Sequence, residues 1–140
     1  MGSKLQADPL VAAYTFTGYG NRHVEINRQA WAQSVIVQTD AAPLAWRPTS
    51  VSGITSDDLH GLLETQAEVI LLGTGDRQIF LDPSLIAPLS MSRGPQGLPI
   101  GLEVMSTQAA CRTFNLLAAE GRRVVAAVVI EASTLLESTP

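Results

Sequence analysis

The chain has 140 residues, of which 46% are hydrophobic and 16% are charged, and its formal net charge is -4. This length suits one domain with one hydrophobic core, and the apolar content excludes intrinsic disorder. The net negative charge also argues against a nucleic-acid-binding protein, because binding to a phosphate backbone requires clustered lysine and arginine side chains.

Cysteine usage and hydropathy indicate a compartment. Cys111 is the only cysteine, so no internal disulfide or multi-thiolate zinc site can form, and a reducing, cytoplasmic compartment is expected. The longest apolar run, residues 124–130, is far shorter than the roughly 20 residues that cross a bilayer, so no membrane insertion is expected. Residues 1–11 are predicted to be a flexible leader without an arginine-rich mitochondrial pattern, residues 12–131 a single domain, and residues 132–140 a flexible tail.

The first part of the chain is predicted to be β-structure. Residues 14–17 and 23–26 alternate apolar and polar side chains around a turn that contains glycine and asparagine, which is typical of a hairpin. A third short strand is predicted at residues 35–37. The proline-containing loop 41–52 has room for one brief extended piece around Trp46.

Capping residues predict where the helices begin. Thr55 and Asp58 have the spacing of a capping box, and Ile54 and Leu59 are placed to pack as a hydrophobic staple, so a short helix is expected there. Asp82 comes directly before a proline, which suits the cap and the first position of a second helix, and Ser106 or Thr107 can cap a third.

Strands and helices alternate in the second half of the chain. Strands are predicted at residues 69–72, 100–105 and 124–130, one helix from Pro83 to about Met91, and another from Thr107 to Gly121. Right-handed crossovers make the three strands parallel neighbours. The last strand is apolar without alternation, which indicates burial on both faces. The expected class is therefore α/β, with a C-terminal β-α-β-α-β unit and the early hairpin extending or flanking its sheet.

Four sequence blocks occur in a familiar order: VILLGTG at residues 69–75, LEVM at 102–105, AACRTFN at 109–115 and AEGRRV at 119–124. Through them the chain resembles the small-domain family of mitochondrial complex I assembly factor three and the adipogenesis-associated protein, which has many uncharacterised bacterial and archaeal members. The resemblance implies a three-layer β+α/β/α fold: a central mixed sheet, helices on one side, and a hairpin sub-sheet with a helix on the other. It implies no agreed catalytic reaction and suggests assembly or adaptor roles.

The strand ends supply a candidate cleft. The loops at the carboxyl ends of parallel strands lie side by side, and a helix N-terminus pointing at them favours a small anion or a carboxylate-bearing ligand. A dinucleotide loop is not predicted, because Gln78 stands at the third glycine position and no helix begins before Pro83. The two glycines are expected to serve a turn or a close backbone approach, with a phosphate cradle as the alternative. The cleft residues are Gly73, Thr74, Gly75, Arg77, Met105, Ser106, Thr107 and Gln108.

No catalytic residue, cofactor or metal site is predicted. Cys111 lies one turn into a helix, where the dipole favours a thiolate, but its spacing puts it on or beside the buried face, so a packing role is favoured over a nucleophile or redox sensor. His23 and His60 occupy polar positions and are expected at the surface. Glu103 lies inside a strand and is expected to be a satisfied buried acid or an edge-facing one rather than a general base.

Two functions remain open from the sequence. The leading hypothesis is a non-enzymatic protein-interaction or assembly-factor module with an unknown protein partner, because a low-charge surface without a convergent acid, base and nucleophile suits recognition. The alternative is a small-molecule or anion-binding protein, with or without turnover, that uses the strand-end cleft. A pocket that holds a group with a displaced pKa favours the alternative, and an exposed apolar patch favours the leading hypothesis.

Overall fold

Two β-sheets and three α-helices make up the part of the chain that the computed structural model describes, residues 12–94 and 97–131. The predicted leader and tail, residues 1–11 and 132–140, lie outside the described residues. Short 3-10 helices at Val51–Gly53 and Leu62–Thr65 flank the first α-helix. The elements in chain order are β1 (Phe16–Gly20), β2 (His23–Ile26), β3 (Gln29–Trp31), β4 (Val35–Gln38), β5 (Leu44–Ala45), α1 (Ser56–Gly61), β6 (Val69–Gly73), α2 (Pro83–Ser90), β7 (Gly101–Met105), α3 (Thr107–Ala119) and β8 (Val124–Val128).

The early hairpin flanks the main sheet as part of a separate antiparallel sheet with the order β1-β2-β3. Strand β3 was not predicted. It follows a two-residue turn in which Asn27 and Arg28 have φ angles of 49° and 71°, and positive φ at both central residues is the requirement of a type I′ turn. Arginine gives no sequence signal for this conformation, so the turn and the strand after it were missed.

The central sheet has the order β5-β4-β8-β6-β7. Strand β6 runs parallel to both β7 and β8, whereas β4 runs antiparallel to β8 and β5, so the sheet is mixed. The predicted β-α-β-α-β unit is confirmed as β6-α2-β7-α3-β8. The first crossover leads to one side of β6 and the second returns to its other side, so right-handed connections place α2 and α3 on opposite faces.

Two hydrophobic cores lie on the two faces of the central sheet. Alternate residues of β8 enter different cores: Val124 and Ala126 pack with α3 and the small sheet, whereas Val125 and Ala127 pack with α1 and α2. All residues of β8 are buried, which explains its unbroken apolar sequence. The three-layer architecture implied by the resemblance is confirmed.

Helix α3 joins the central sheet to the small sheet. The ring of Phe114 meets that of Phe16 edge-on, with centroids 5.3 Å apart and an interplanar angle of 88°. The side-chain amide of Asn115 accepts a hydrogen bond from the Phe16 N–H and donates one to the Phe16 carbonyl, at 2.9 and 2.8 Å. Because both contacts span most of the chain, they fix the position of the β1-β2 hairpin beside the central sheet.

The predicted helix caps are present. Thr55 accepts from the Asp58 N–H while the Asp58 carboxylate accepts from the Thr55 N–H, which completes the capping box. Asp82 caps α2 by accepting from the amide two residues further on, and Ser106 caps α3 by accepting from the amide three residues further on.

Among the described residues, no helix combines the length and apolar character that crossing a bilayer demands.

Candidate functional site

The loops after β6 and β7 are joined by hydrogen bonds at the edge where the predicted cleft lies. The Thr74 N–H donates to the Met105 carbonyl at 3.0 Å, and the Thr107 N–H donates to the Gly75 carbonyl at 2.8 Å. The Thr107 hydroxyl also accepts from the Gly75 N–H at 2.9 Å. These bonds extend the ladder of β6 and β7 beyond the strands, so the two predicted loops lie against each other.

The two glycines of the first loop have different structural roles. At Gly73 an added Cβ would lie 3.2 Å from the Thr107 Cα and 3.4 Å from the Ala110 Cβ, so this position lets α3 approach the end of β6 closely. Gly75 has a φ of 104°, which a residue with a side chain rarely adopts. The glycines therefore serve a close backbone approach and a turn, which are the expected roles.

A buried hydroxyl organises the loop that carries Arg77. Thr74 is 5% exposed, and its hydroxyl lies 2.7 Å from the Arg77 carbonyl, 3.1 Å from the Met105 carbonyl and 3.1 Å from the Ile79 N–H. The hydroxyl donates to a carbonyl and accepts from the amide, so it uses both of its capacities. The loop is held from inside, and Arg77 is presented at its exposed outer side.

Part of the predicted cleft lines an open cavity of about 670 Å³, a volume in the range of small-molecule sites, about 300–1,000 Å³. Five residues of the predicted cleft line this cavity: Thr74, Gly75, Arg77, Thr107 and Gln108. Gly73, Met105 and Ser106 support these residues from outside the lining. The opposite wall comes from the β1-β2 turn, residues 19–23, and from the residues that follow β8, 129–131. Sequence reasoning missed this wall, because turn chemistry around Asn21 shows that a hairpin exists but not what it packs against.

The electrostatics of the cavity are mixed. Arg22 and Arg77 contribute positive charge, and Asp76 and Glu131 contribute negative charge. Two of the first three amides of α3 are already bonded inside the protein, since the Thr107 N–H is held by Gly75 and the Ala109 N–H by the Ser106 hydroxyl. Fewer N–H groups of the helix N-terminus are therefore available to an anion, and the Arg77 guanidinium is a donor that a ligand would meet.

Groups with displaced pKa values lie outside the cavity. A hydrogen bond from Arg47 lowers the pKa of Asp58, and hydrogen bonds from Ser84 lower that of Asp82. Burial raises the pKa of the Cys111 thiol to about 12. Each of these displacements has a structural cause, in an ion pair, a helix cap or a core, and none of the three groups lines the cavity.

The remaining singled-out residues occupy ordinary positions. Cys111 is buried in the core beneath α3, so its predicted position on the buried face is confirmed. His60 is exposed on α1, and His23 is half-buried at the cavity. Glu103 is exposed on β7, which is an edge strand, so the edge-facing alternative is the right one. Within residues 12–94 and 97–131, His, Cys, Asp and Glu form no group of three or more that could hold a metal ion.

A second surface feature lies on the connection between β6 and β7. Four of the seven large hydrophobic side chains that the described residues leave exposed are on this connection: Ile79 (38%), Phe80 (82%), Met91 (83%) and Leu98 (62%). The connection reaches the sheet edge, because the Gln78 side chain donates to the Val104 carbonyl of β7 at 2.9 Å. Four exposed apolar side chains thus lie on one connection beside an open sheet edge, and exposed apolar side chains and open edges are both used in protein binding.

The chain is similar to a known protein family and to several named proteins. Its sequence matches, over residues 16–129, the family described as "Protein of unknown function (DUF498/DUF598)". It is 37% identical over 86 residues to the Bos taurus protein named NADH dehydrogenase (ubiquinone) 1 alpha subcomplex assembly factor 3, a match that covers 60% of this chain and 44% of that protein. The chain thus spans less than half the length of this relative.

Solved structures show the same fold. A crystal structure of a Bordetella parapertussis protein is 36% identical, with a TM-score of 0.75, and the alignment covers 86% of this chain and 98% of that one. A solution structure of a Bordetella pertussis protein, described as a Mth938-like domain, is 30% identical, with a TM-score of 0.71 and 94% coverage of both chains. The resemblance carried by the four sequence blocks is therefore confirmed, and the chain belongs to the DUF498/DUF598 family.

Proposed function

We propose that this chain is a non-enzymatic protein-interaction module with an assembly-factor-like role in a reducing, cytoplasmic compartment. The observation that carries this proposal is the apolar surface of the β6-β7 connection, which we name the apolar connection and define as Ile79, Phe80, Met91 and Leu98. Phe80 and Met91 are more than four-fifths exposed. Exposing them to water is unfavourable, and a partner that covers them regains that free energy.

Two further observations support an interaction role. The bovine relative at 37% identity is named as an assembly factor, and this name comes from a protein of more than twice the matched length. In addition, the groups with displaced pKa values lie in caps, an ion pair and the core rather than around the cavity. A protein that binds through an apolar surface has no need of such a group in a cleft.

The experiment compares capture of partners by matched surface variants. A phenylalanine side chain that becomes buried contributes about 2 kcal/mol, or about 30-fold in affinity, so Phe80→Ser combined with Leu98→Ser should abolish recovery of a stoichiometric partner at low and high salt. Leu116→Ser is the control, because Leu116 is 61% exposed on α3, on the opposite face of the sheet. The proposal fails if the wild type retains no stoichiometric partner, or if the control loses it equally.

The cavity supports a second candidate function, which is binding of a small anion or a carboxylate-bearing ligand. Arg77 supplies the guanidinium, on a loop already ordered by the Thr74 hydroxyl, and a preordered donor loses little entropy on binding. Titration of inorganic phosphate should shift the amide resonances of residues 73–77 and 105–110 in the wild type and not in Arg77→Gln. Shifts scattered over other arginines such as Arg47 and Arg93, or equal shifts in both proteins, would dismiss this function.

A further inference from the structure

Strand β7 leaves a row of backbone hydrogen-bonding groups open at the edge of the central sheet. Among residues 12–94 and 97–131 it has one neighbour, β6, to which it is parallel. The Gly101 N–H donates to the Glu68 carbonyl at 3.1 Å, and the Met105 carbonyl accepts from the Thr74 N–H at 3.0 Å. Because bonding residues alternate along a parallel ladder, Gly101, Glu103 and Met105 face β6, and the residues between them turn their N–H and C=O groups outward.

The two outward residues are Leu102 and Val104. The Val104 carbonyl already accepts a hydrogen bond from the Gln78 side chain at 2.9 Å, which is independent evidence that this residue points away from β6. The Leu102 N–H and C=O and the Val104 N–H have no protein partner among the described residues. The opposite edge of the sheet is the two-residue strand β5, which is too short to offer a comparable row of backbone hydrogen-bonding groups. We therefore take β7 as the edge at which a further strand fits.

We propose that β7 binds an extended segment of a partner protein, which adds as a sixth strand and carries a lysine or arginine opposite Glu103. This inference rests on the proposed interaction function and names the partner's chemistry. Backbone pairing with Leu102 and Val104 supplies the hydrogen bonds, and the exposed Glu103 carboxylate between them selects the charge. Phe80, two residues beyond Gln78 and 82% exposed, offers apolar contact beside the same edge.

A second copy of this chain is the poorer occupant of the edge. Two β7 strands paired antiparallel around a two-fold axis at Glu103 would set Leu102 against Val104 of the other copy and Glu103 against its own counterpart. Glu103 would then form a non-hydrogen-bonded pair, in which side chains come closest, and like charges directly opposite each other are destabilising. In this register the exposed carboxylate opposes self-pairing, and it favours a basic residue in a partner segment.

The test uses the whole ¹⁵N-labelled chain and two capped seven-residue probe peptides of alternating valine and threonine, one with lysine at its centre and one with glutamate. The lysine peptide should slow hydrogen exchange of the Leu102 and Val104 amides, which are open in the free protein. The Glu103 amide faces β6 and should be protected with or without peptide, so it serves as an internal control. The glutamate peptide should bind at least about fivefold more weakly.

Charge reversal and removal of the Gln78 side chain make the test specific. In Glu103→Lys the preference should reverse to the glutamate peptide, and in Gln78→Ala the freed Val104 carbonyl should strengthen binding of the lysine peptide about fivefold. Unchanged exchange at Leu102 and Val104, equal binding of both peptides, or a wild-type chain that dimerises through this edge would each overturn the inference. If Phe80→Ser with Leu98→Ser still abolishes partner capture, the proposed function survives and only its strand-pairing mode is refuted.

Discussion

Replacement of Thr74 by valine is the sharpest test of how the strand-end loop is held. Valine has nearly the shape of threonine, so the packing of this 5% exposed side chain is kept. The hydroxyl is lost, and with it the contacts to the Arg77 carbonyl at 2.7 Å and the Ile79 N–H at 3.1 Å. Thr74→Val therefore removes the internal support of the loop and little else.

The expected cost follows from the groups left behind. A buried donor or acceptor that loses its partner costs about 1–3 kcal/mol, more than the net value of an average hydrogen bond. Because Ile79 is 38% exposed, water can reach part of the loop and recover some of this loss. We therefore expect Thr74→Val to lower the free energy of unfolding by about 2 kcal/mol, in the middle of that range.

Urea denaturation followed by circular dichroism measures the change, with the m-value expected to stay constant. Thr113→Val is the matched control, because Thr113 is half-buried on α3 and the described structure gives its hydroxyl no hydrogen bond. The control should change stability by less than about 0.5 kcal/mol. Equal effects of the two substitutions would refute the reasoning, as would unchanged hydrogen exchange of the Ile79 amide in Thr74→Val.

Three further predictions concern the core, the sheet and acid stability. Because burial raises the pKa of Cys111 to about 12, the thiol should react with a water-soluble disulfide reagent far more slowly in the folded than in the unfolded protein at pH 8; rapid labelling of the native state would contradict this. The slowest amide exchange should lie in β8, which is buried on both faces, and exchange there as fast as in β5 would contradict the layer assignment. Arg47 lowers the pKa of Asp58, so the carboxylate stabilises the fold above the ordinary aspartate pKa and the stabilisation is lost as the pH falls. Wild type should consequently lose more stability than Asp58→Asn between about pH 5 and pH 3, and identical acid transitions would show that the pair contributes nothing.

Local structure was predictable because its signals lie within a few residues of each other. The capping box of Thr55 and Asp58, the Asp82 cap before a proline and the Ser106 cap each depend on side chains two or three positions from the amide they bind. The unbroken apolar sequence of β8 likewise reports burial on both faces through its own composition. Strand β3 was missed because the turn before it depends on a positive φ at Arg28, for which arginine carries no preference.

The cavity was predictable only in part. The alternation of strands and helices was enough to place the loops after β6 and β7 side by side. The second wall, from residues 19–23 and 129–131, depends on how Asn115 and Phe114 attach the small sheet to α3. Contacts between residues about a hundred positions apart leave no periodic pattern in the sequence. The sequence of either segment alone therefore does not predict that the two are in contact.

By itself, the sequence determined the helix caps, the parallel β-α-β-α-β unit and the buried position of Cys111, because spacing and periodicity decide these features locally. The tertiary structure alone decided which backbone groups are used and which stay open. It satisfies the Thr107 N–H through the Gly75 carbonyl, and within the described part of the chain it leaves the Leu102 N–H and C=O and the Val104 N–H without a partner at the sheet edge. The physical reason is that each N–H or C=O group can be satisfied by whichever partner the fold brings near, and that partner is usually distant in sequence.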